Sequence, residues 1–460
     1  MQHFTTGLRR ALSFLERVRF FISCWLAAQL ETDNEQGTIA TLDGVRAIAC
    51  LTVMGYHINL MTRSAHLWTT DGKPLTSAIV LAGSSGVTLF FVLSGFLLFL
   101  PYVRALLFER SWPETRVFYL RRVLRIIPGY YTSLFLLVVL EKPEYLQPER
   151  WSQLVLFPLF LMDSTRATFQ QLNGPYWTLA IEWQFYMLLP WIALGIRAIV
   201  QRLHPERRIW GVVGCLLGLM VWGVLTRALG MYCMAHPTAM FFVPRGVLNI
   251  FLLVTYGVDG KFMEDFAVGM LTGVCYLVVH HAAASKNVVP RAQRRSSWLW
   301  GGGVLLCLVM AIQLNGQSWP ILGPLFQSTE WLNELGFSLG FGCCILAILF
   351  DPFGGLKRFF AWAPLRWIGL ISYSLYIWHL PLLISFDNHI GPDLRHLPAF
   401  AAYSLYWLWA VVVVIPFSFV MYLLVEKPGM RLSHQLKQRL LIQRQKAAAS
   451  IAVGAAAPAP

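Results

Sequence analysis

The sequence predicts an all-α polytopic membrane protein with about ten transmembrane helices and both termini in the cytoplasm. Three observations carry this expectation. Only 13% of the 460 residues are charged and 57% are hydrophobic, with a mean hydropathy of +0.56; a soluble domain carries about a quarter charged residues. Apolar runs long enough to cross about 30 Å of hydrocarbon at 1.5 Å per residue recur along the chain. Lys and Arg sit in short clusters between those runs, which is how membrane orientation is encoded. The composition excludes an ordinary soluble enzyme and a disordered scaffold. The net charge of +14, spread in this way, does not point to nucleic acid.

Taken in order, residues 1–40 read as a basic amphipathic segment lying on the inner membrane surface. Arg9, Arg10, Arg17 and Arg19 interleave with Leu12, Phe14, Leu15, Phe20 and Phe21, and Glu16 interrupts any signal-peptide core. Spans are expected near 45–62, 79–101, 126–141, 176–196, 210–226, 262–280, 298–314, 333–350, 366–386 and 402–425. The apolar run from Trp151 to Met162 contains Pro158 and is too short to cross, so it reads as a re-entrant or interfacial piece. Basic residues decide that point. With ten spans and a cytoplasmic N-terminus, 27 of the 37 Lys and Arg fall inside and nine outside, with Arg46 at the inner mouth of the first span. Counting 151–162 as a span would put Arg197, Arg202, Arg207 and Arg208 outside, against the positive-inside rule. The membrane domain is expected over 41–431, and residues 432–460 form a basic, Ala/Pro-rich cytoplasmic tail expected to be disordered.

The eight cysteines form no framework: most lie in apolar runs and none makes a C-x-x-C pair, so they read as buried apolar filler and no metal is expected. There is no P-loop, G-x-G-x-x-G or H-E-x-x-H motif, which leaves ATP-driven transport by this chain unsupported.

Ionisable residues inside a span are costly, and each is a functional candidate. Arg46 and His57 lie eleven residues apart in the first span; at 100° per residue they return to nearly one helix face, about 16 Å apart along it. Arg122 and Arg125 lead into the third span, three residues apart. Guanidinium forks at that spacing suit a phosphorylated cofactor, and equally suit plain positive-inside anchoring. Glu182 lies in the fourth span and His379 in the ninth. Measured along their helices, His57, His379 and Glu182 all fall about 18–21 Å above the inner face.

The segments LDGVRAIACLTVMGYH, GVTLFFVLSGFLL, FYLRRVLRIIPGYY, GPYWTLAIEWQFYML, ISYSLYIWHLPLL and VEKPGMR resemble, in order and across most of 41–431, the acyltransferase type 3 family of integral-membrane O-acyltransferases. Thr88 stands where that family often has an acidic residue after Gly-Val. The resemblance implies transfer of an acyl group, commonly acetyl, from cytoplasmic acyl-CoA to a hydroxyl of a glycan or related acceptor, in the plasma (inner) membrane. It matches His57 to the catalytic histidine and Arg46, Arg122 and Arg125 to functional arginines that would bind the donor. Glu182 and His379 fall on further motif positions. Only about thirty residues follow Glu426-Lys427-Pro428, which reads as the form without a soluble esterase-like domain.

In this reading a neutral His57 is the general base on the acceptor hydroxyl, and Glu182 or His379 orients or helps protonate. The partners are acyl-CoA, a carbohydrate or lipid-linked glycan, and the bilayer. The donor is expected from the cytoplasm and the acceptor from the outer half of the membrane. The alternative is a secondary transporter or flippase of an anionic or lipid-linked sugar, using the same intramembrane charges. No transporter-type internal repeat supports it.

Overall fold

The computed structural model describes residues 40–62, 82–238, 243–282, 288–315, 323–352, 354–394 and 396–440. The expected amphipathic segment before Ala40 lies outside the described residues, as does the tail beyond Leu440. Among the described residues all regular structure is helical. Eight helices are long and apolar enough to cross a membrane, and nine if a pair bent by 73° at Ile371 counts as one span. The first expected span, α1 (Ala40–Thr62), is not among them, although its 23 residues would extend about 35 Å. Asp43, Arg46, His57 and Asn59 make it less apolar than the rest. The segment after Arg150 does not span: a single turn of helix at Trp151–Leu154 gives way to turns.

The chain forms two compact units, one of residues 1–97 and 268–373, the other of 98–267 and 374–460. The first contains α1, the start of α2 (Gly86–Leu107), α8 (Val288–Asn315) and α9 (Asn333–Phe350). It also contains most of α7 (Met263–Ala282) and the short helices α10 (Gly355–Phe360) and α11 (Ala363–Leu370). Its helices approach closely through small residues, the membrane route to tight packing. A Cβ on Gly303 would lie 2.7 Å from the Gly340 carbonyl oxygen, and one on Gly269 only 2.1 Å from that of Val92.

The second unit holds α3 (Thr115–Leu140), α4 (Tyr176–Val200), α5 (Arg208–Ala235), the amphipathic α6 (Arg245–Thr255), α12 (Ser372–His389) and α13 (Ala399–Leu440). The sequence reading did not anticipate α6. Two π turns, Ala410–Val414 and Tyr422–Glu426, interrupt α13. The second lies three residues from Gly429, where a Cβ would come within 2.3 Å of the Leu124 carbonyl oxygen of α3. Helix continues through Leu440, so the tail expected from residue 432 begins as helix rather than as disordered chain. Large apolar side chains such as Trp210, near the start of α5, and Trp298, within α8 (73% and 82% exposed), stand outward, as lipid-facing residues should.

Candidate active site

In the first unit the start of α1 is seated against α10 and α11. Any side chain at Gly44 would meet the Phe360 carbonyl oxygen at 2.0 Å, and one at Gly369 would meet that of Asp43 at 1.9 Å. This fixes the turn carrying Arg46, whose Nη1 lies 3.4 Å from Asp43 Oδ1. Three turns on, the His57 ring makes contacts within its own helix. Its Nδ1 sits 2.9 Å from the Val53 carbonyl oxygen, and the Tyr56 ring meets it edge-on at 5.4 Å. A carbonyl only accepts, so Nδ1 carries a proton, and in a neutral imidazole Nε2 is then the basic nitrogen. The turn Ala82–Ser85 lies along the same stretch of α1: Cβ atoms on Gly83 and Gly86 would fall within 2.6 Å of the Thr52 and Ala49 carbonyl oxygens. One turn further, Thr88 donates its hydroxyl to Glu334 of α9. Where family sequences often have an acid, this chain has a threonine hydrogen-bonded to an acid from another helix.

The second unit holds Arg122, Arg125, Glu182 and His379. Arg122 lies over the Tyr186 ring, 5.7 Å from its centroid, and the Tyr186 hydroxyl donates to Glu182 one turn back on α4. Arg122 and Glu182, read separately from the sequence, are thus joined through Tyr186. Arg125 turns elsewhere. Its charge acts on Glu426 of α13, a buried carboxylate that accepts the Ser374 hydroxyl. The two arginines share a broad face yet serve different neighbours, because residues three apart on a helix differ by about 60° in direction.

His379 is fully buried, with Nδ1 2.8 Å from the Tyr376 carbonyl oxygen. The start of α4 is fastened to this part of α12. The Thr178 and Tyr376 hydroxyls are 2.7 Å apart, Asn173 Nδ2 donates to the Ile377 carbonyl at 3.0 Å, and the Tyr176 hydroxyl meets Ser133 of α3 at 2.7 Å. Among the described residues no group of three or more His, Cys, Asp or Glu is placed to hold a metal ion.

A half-buried histidine on a helix that begins with an arginine lies in the first unit, and arginines beside aromatic and carboxylate neighbours lie in the second. Comparison with known proteins decides the family. The model of a family described as an acyltransferase domain matches residues 39–423. The chain belongs to that acyltransferase family.

The acyltransferase is an enzyme class that moves acyl groups. The chain is 25% identical over 360 residues to "Peptidoglycan O-acetyltransferase OatA" of Listeria monocytogenes, covering 75% of this chain and 49% of that protein. It is 27% identical over 365 residues to "Putative peptidoglycan O-acetyltransferase YrhL" of Bacillus subtilis, covering 75% and 49%. It is 25% identical over 379 residues to "O-acetyltransferase OatA" of Staphylococcus aureus, covering 76% and 51%. The chain spans about half the length of these curated relatives. No solved structure matches it.

Sequence reasoning missed a buried charge cluster in this acyltransferase. Arg227 had been assigned to an outer loop beyond a span ending near residue 226. It lies instead inside α5, only 7% exposed, with Nε 2.6 Å from Glu264 Oε1 of α7 and its guanidinium 4.2 Å from the Phe262 ring centroid. Nearby in the chain, Lys261 pairs with the buried Asp163, which also accepts Gln184 Nε2 at 3.0 Å. That pair ties the non-spanning segment to α4 and to the approach to α7. The acidic run Glu264-Asp265 opening an otherwise apolar helix was the signal available in the sequence.

Proposed function

We propose that this acyltransferase is a multi-pass plasma-membrane enzyme that moves an acetyl group from cytoplasmic acetyl-CoA to a hydroxyl of a cell-wall glycan. The observation that carries this reading is His57. It is a histidine on the face that Arg46 begins, held by Val53 in the tautomer that leaves Nε2 basic. The printed names of the relatives, two of which specify peptidoglycan, support a glycan acceptor and an acetyl group.

His57 Nε2 takes the proton of the acceptor hydroxyl as its oxygen attacks the thioester carbonyl. The tetrahedral intermediate collapses with cleavage of the C–S bond, and the imidazolium returns the proton to the departing thiolate. Products are the acetyl ester and free CoA. Arg46, Arg122 and Arg125 hold the donor's phosphates. Glu182 acts on the donor site at one remove, by fixing Tyr186 against Arg122. His379 orients the segment where α4 and α12 are fastened together. The donor enters from the cytoplasm, and the acceptor arrives from the outer half of the membrane, against the segment 142–175.

The test is purified protein in oriented proteoliposomes without an ion gradient, with radiolabelled acetyl-CoA on one side and a soluble peptidoglycan fragment on the other. The reading predicts labelled glycan with CoA at the cytoplasmic face. Gradient-dependent movement of sugar without acetylation would favour a transporter instead, and transfer only when both substrates share the cytoplasmic side would overturn the sidedness.

A further inference from the structure

We propose that Asn333, with Glu334 and Thr88 beside it, forms a subsite for the hydroxyls of the carbohydrate acceptor, an inference that rests on the function proposed above. Asn333 is the first residue of α9 and is only 4% exposed, yet among the described residues neither its Oδ1 nor its Nδ2 has a hydrogen-bond partner. Buried side-chain polar atoms are paired in the large majority of cases, because leaving a donor or acceptor unpaired away from water is costly. An amide with both ends unpaired is the arrangement expected where a ligand supplies the partners. The next residue, Glu334, accepts the hydroxyl of the buried Thr88 through Oε2.

The chemistry of this cluster selects among ligands. One amide offers a donor and an acceptor on the same edge, one carboxylate accepts, and one hydroxyl does both. These three residues include no cation to attract a phosphate and too few carboxylates for a metal. It suits a neutral polyol, whose neighbouring hydroxyls donate to Oδ1 and accept from Nδ2.

Its place in the fold gives the link to the reaction. The stretch 82–88 lies between α1 and α9, all within the first unit. On one side Gly83 and Gly86 press on Ala49, Thr52, Val53 and Tyr56 of the helix that carries His57. On the other, Ala82 packs with Phe337 and Ala311, and Thr88 bonds Glu334. The stretch 82–88 is therefore in contact both with the helix of the proposed base and with the polar cluster. A glycan with one hydroxyl at His57 carries further sugar units whose hydroxyls need partners, and Asn333 and Glu334 are groups that would meet them.

The experiment uses the full chain in nanodiscs and a neutral β-1,4-linked N-acetylglucosamine disaccharide as the probe, with affinity measured by calorimetry. Asn333→Leu removes the unpaired amide at similar volume, so Tm should hold or rise while disaccharide affinity falls at least tenfold. Glu334→Gln should weaken the disaccharide as well, and acetyl-CoA affinity should be unchanged in both variants. Equal disaccharide affinity in Asn333→Leu and wild type, no measurable affinity in wild type, or a loss that follows a lowered Tm would each overturn the subsite. A parallel acetyl-transfer assay separates the two claims. Disaccharide binding that depends on Asn333 in a wild-type protein that transfers nothing from acetyl-CoA sinks the proposed function and leaves the subsite standing. Transfer with an unchanged acceptor KM in Asn333→Leu does the reverse.

Discussion

Replacing Gly369 by Ala should loosen the start of α1 and, with it, the position of Arg46. The new Cβ would lie 1.9 Å from the Asp43 carbonyl oxygen, while ordinary contact begins at 3.4 Å. The obstructing atom is backbone and has no rotamer to escape into, so α1 and α11 must part by about 1.5 Å along that line. Overpacking of this kind costs about 1–3 kcal/mol, which in a chain of this size corresponds to a Tm lower by about 1–3 °C. Gly44→Ala, facing the Phe360 carbonyl at 2.0 Å, strains the same turn. The double variant should therefore lose less than the sum of the two singles. Gly214→Ala on α5 is the control: nothing lies within 4 Å of its Cβ position, and removing a helical glycine stabilises by up to about 1 kcal/mol. Thermal unfolding of the three variants in detergent, followed by intrinsic fluorescence, reads the difference. Indistinguishable Tm values for Gly369→Ala and Gly214→Ala would refute the packing argument.

Three further outcomes follow from the second unit. Thr178→Val leaves the Tyr376 hydroxyl without its partner and should destabilise by about 1–3 kcal/mol; the double variant with Tyr376→Phe should recover part of that loss in a thermal double-mutant cycle. Glu264→Gln removes the charge that balances the Arg227 guanidinium, which keeps its bond to the Asp259 carbonyl oxygen, and should cost up to about 3–5 kcal/mol, whereas Arg227→Met together with Glu264→Leu should be far milder; chemical denaturation in mixed micelles distinguishes them, and equal losses would contradict the buried-pair reading. Arg122→Ala and Arg125→Ala should each weaken acetyl-CoA binding by tenfold or more, at roughly 1.5–3 kcal/mol per charged hydrogen bond. Their effects should add, because one arginine is ordered by Tyr186 and the other neighbours Glu426. Unchanged affinity with reduced expression would make both arginines simple topology anchors.

Much of the helical pattern was legible because apolar length in a bilayer leaves few alternatives. The span expected at 333–350 coincides with α9, and the short run after Arg150 is indeed no span. Boundaries failed where polar residues continue a helix. Arg227 looked like the edge of a loop because a lone arginine beside an apolar run is the usual sign of one. Its partner Glu264 is 37 residues away, and no local spacing announces such a pair. The separation of Arg122 from Arg125 was hidden for the same reason: periodicity gives a face, and neighbouring helices decide what that face meets. Thr88 read as a mild departure from a motif, and only the fold shows that Glu334 meets it. The bend at Ile371 was likewise silent, since no proline or charge interrupts the sequence between Trp367 and Trp378.

The most direct measurement of the central claim is single-turnover acetyl transfer by His57→Ala, from radiolabelled acetyl-CoA to a peptidoglycan fragment, beside a binding isotherm for acetyl-CoA on the same preparation. The account predicts folded, membrane-inserted protein that binds acetyl-CoA as wild type does and transfers no acetyl group above background. Transfer at the wild-type rate in that variant would contradict it, because no other residue would then need His57 to take the acceptor's proton.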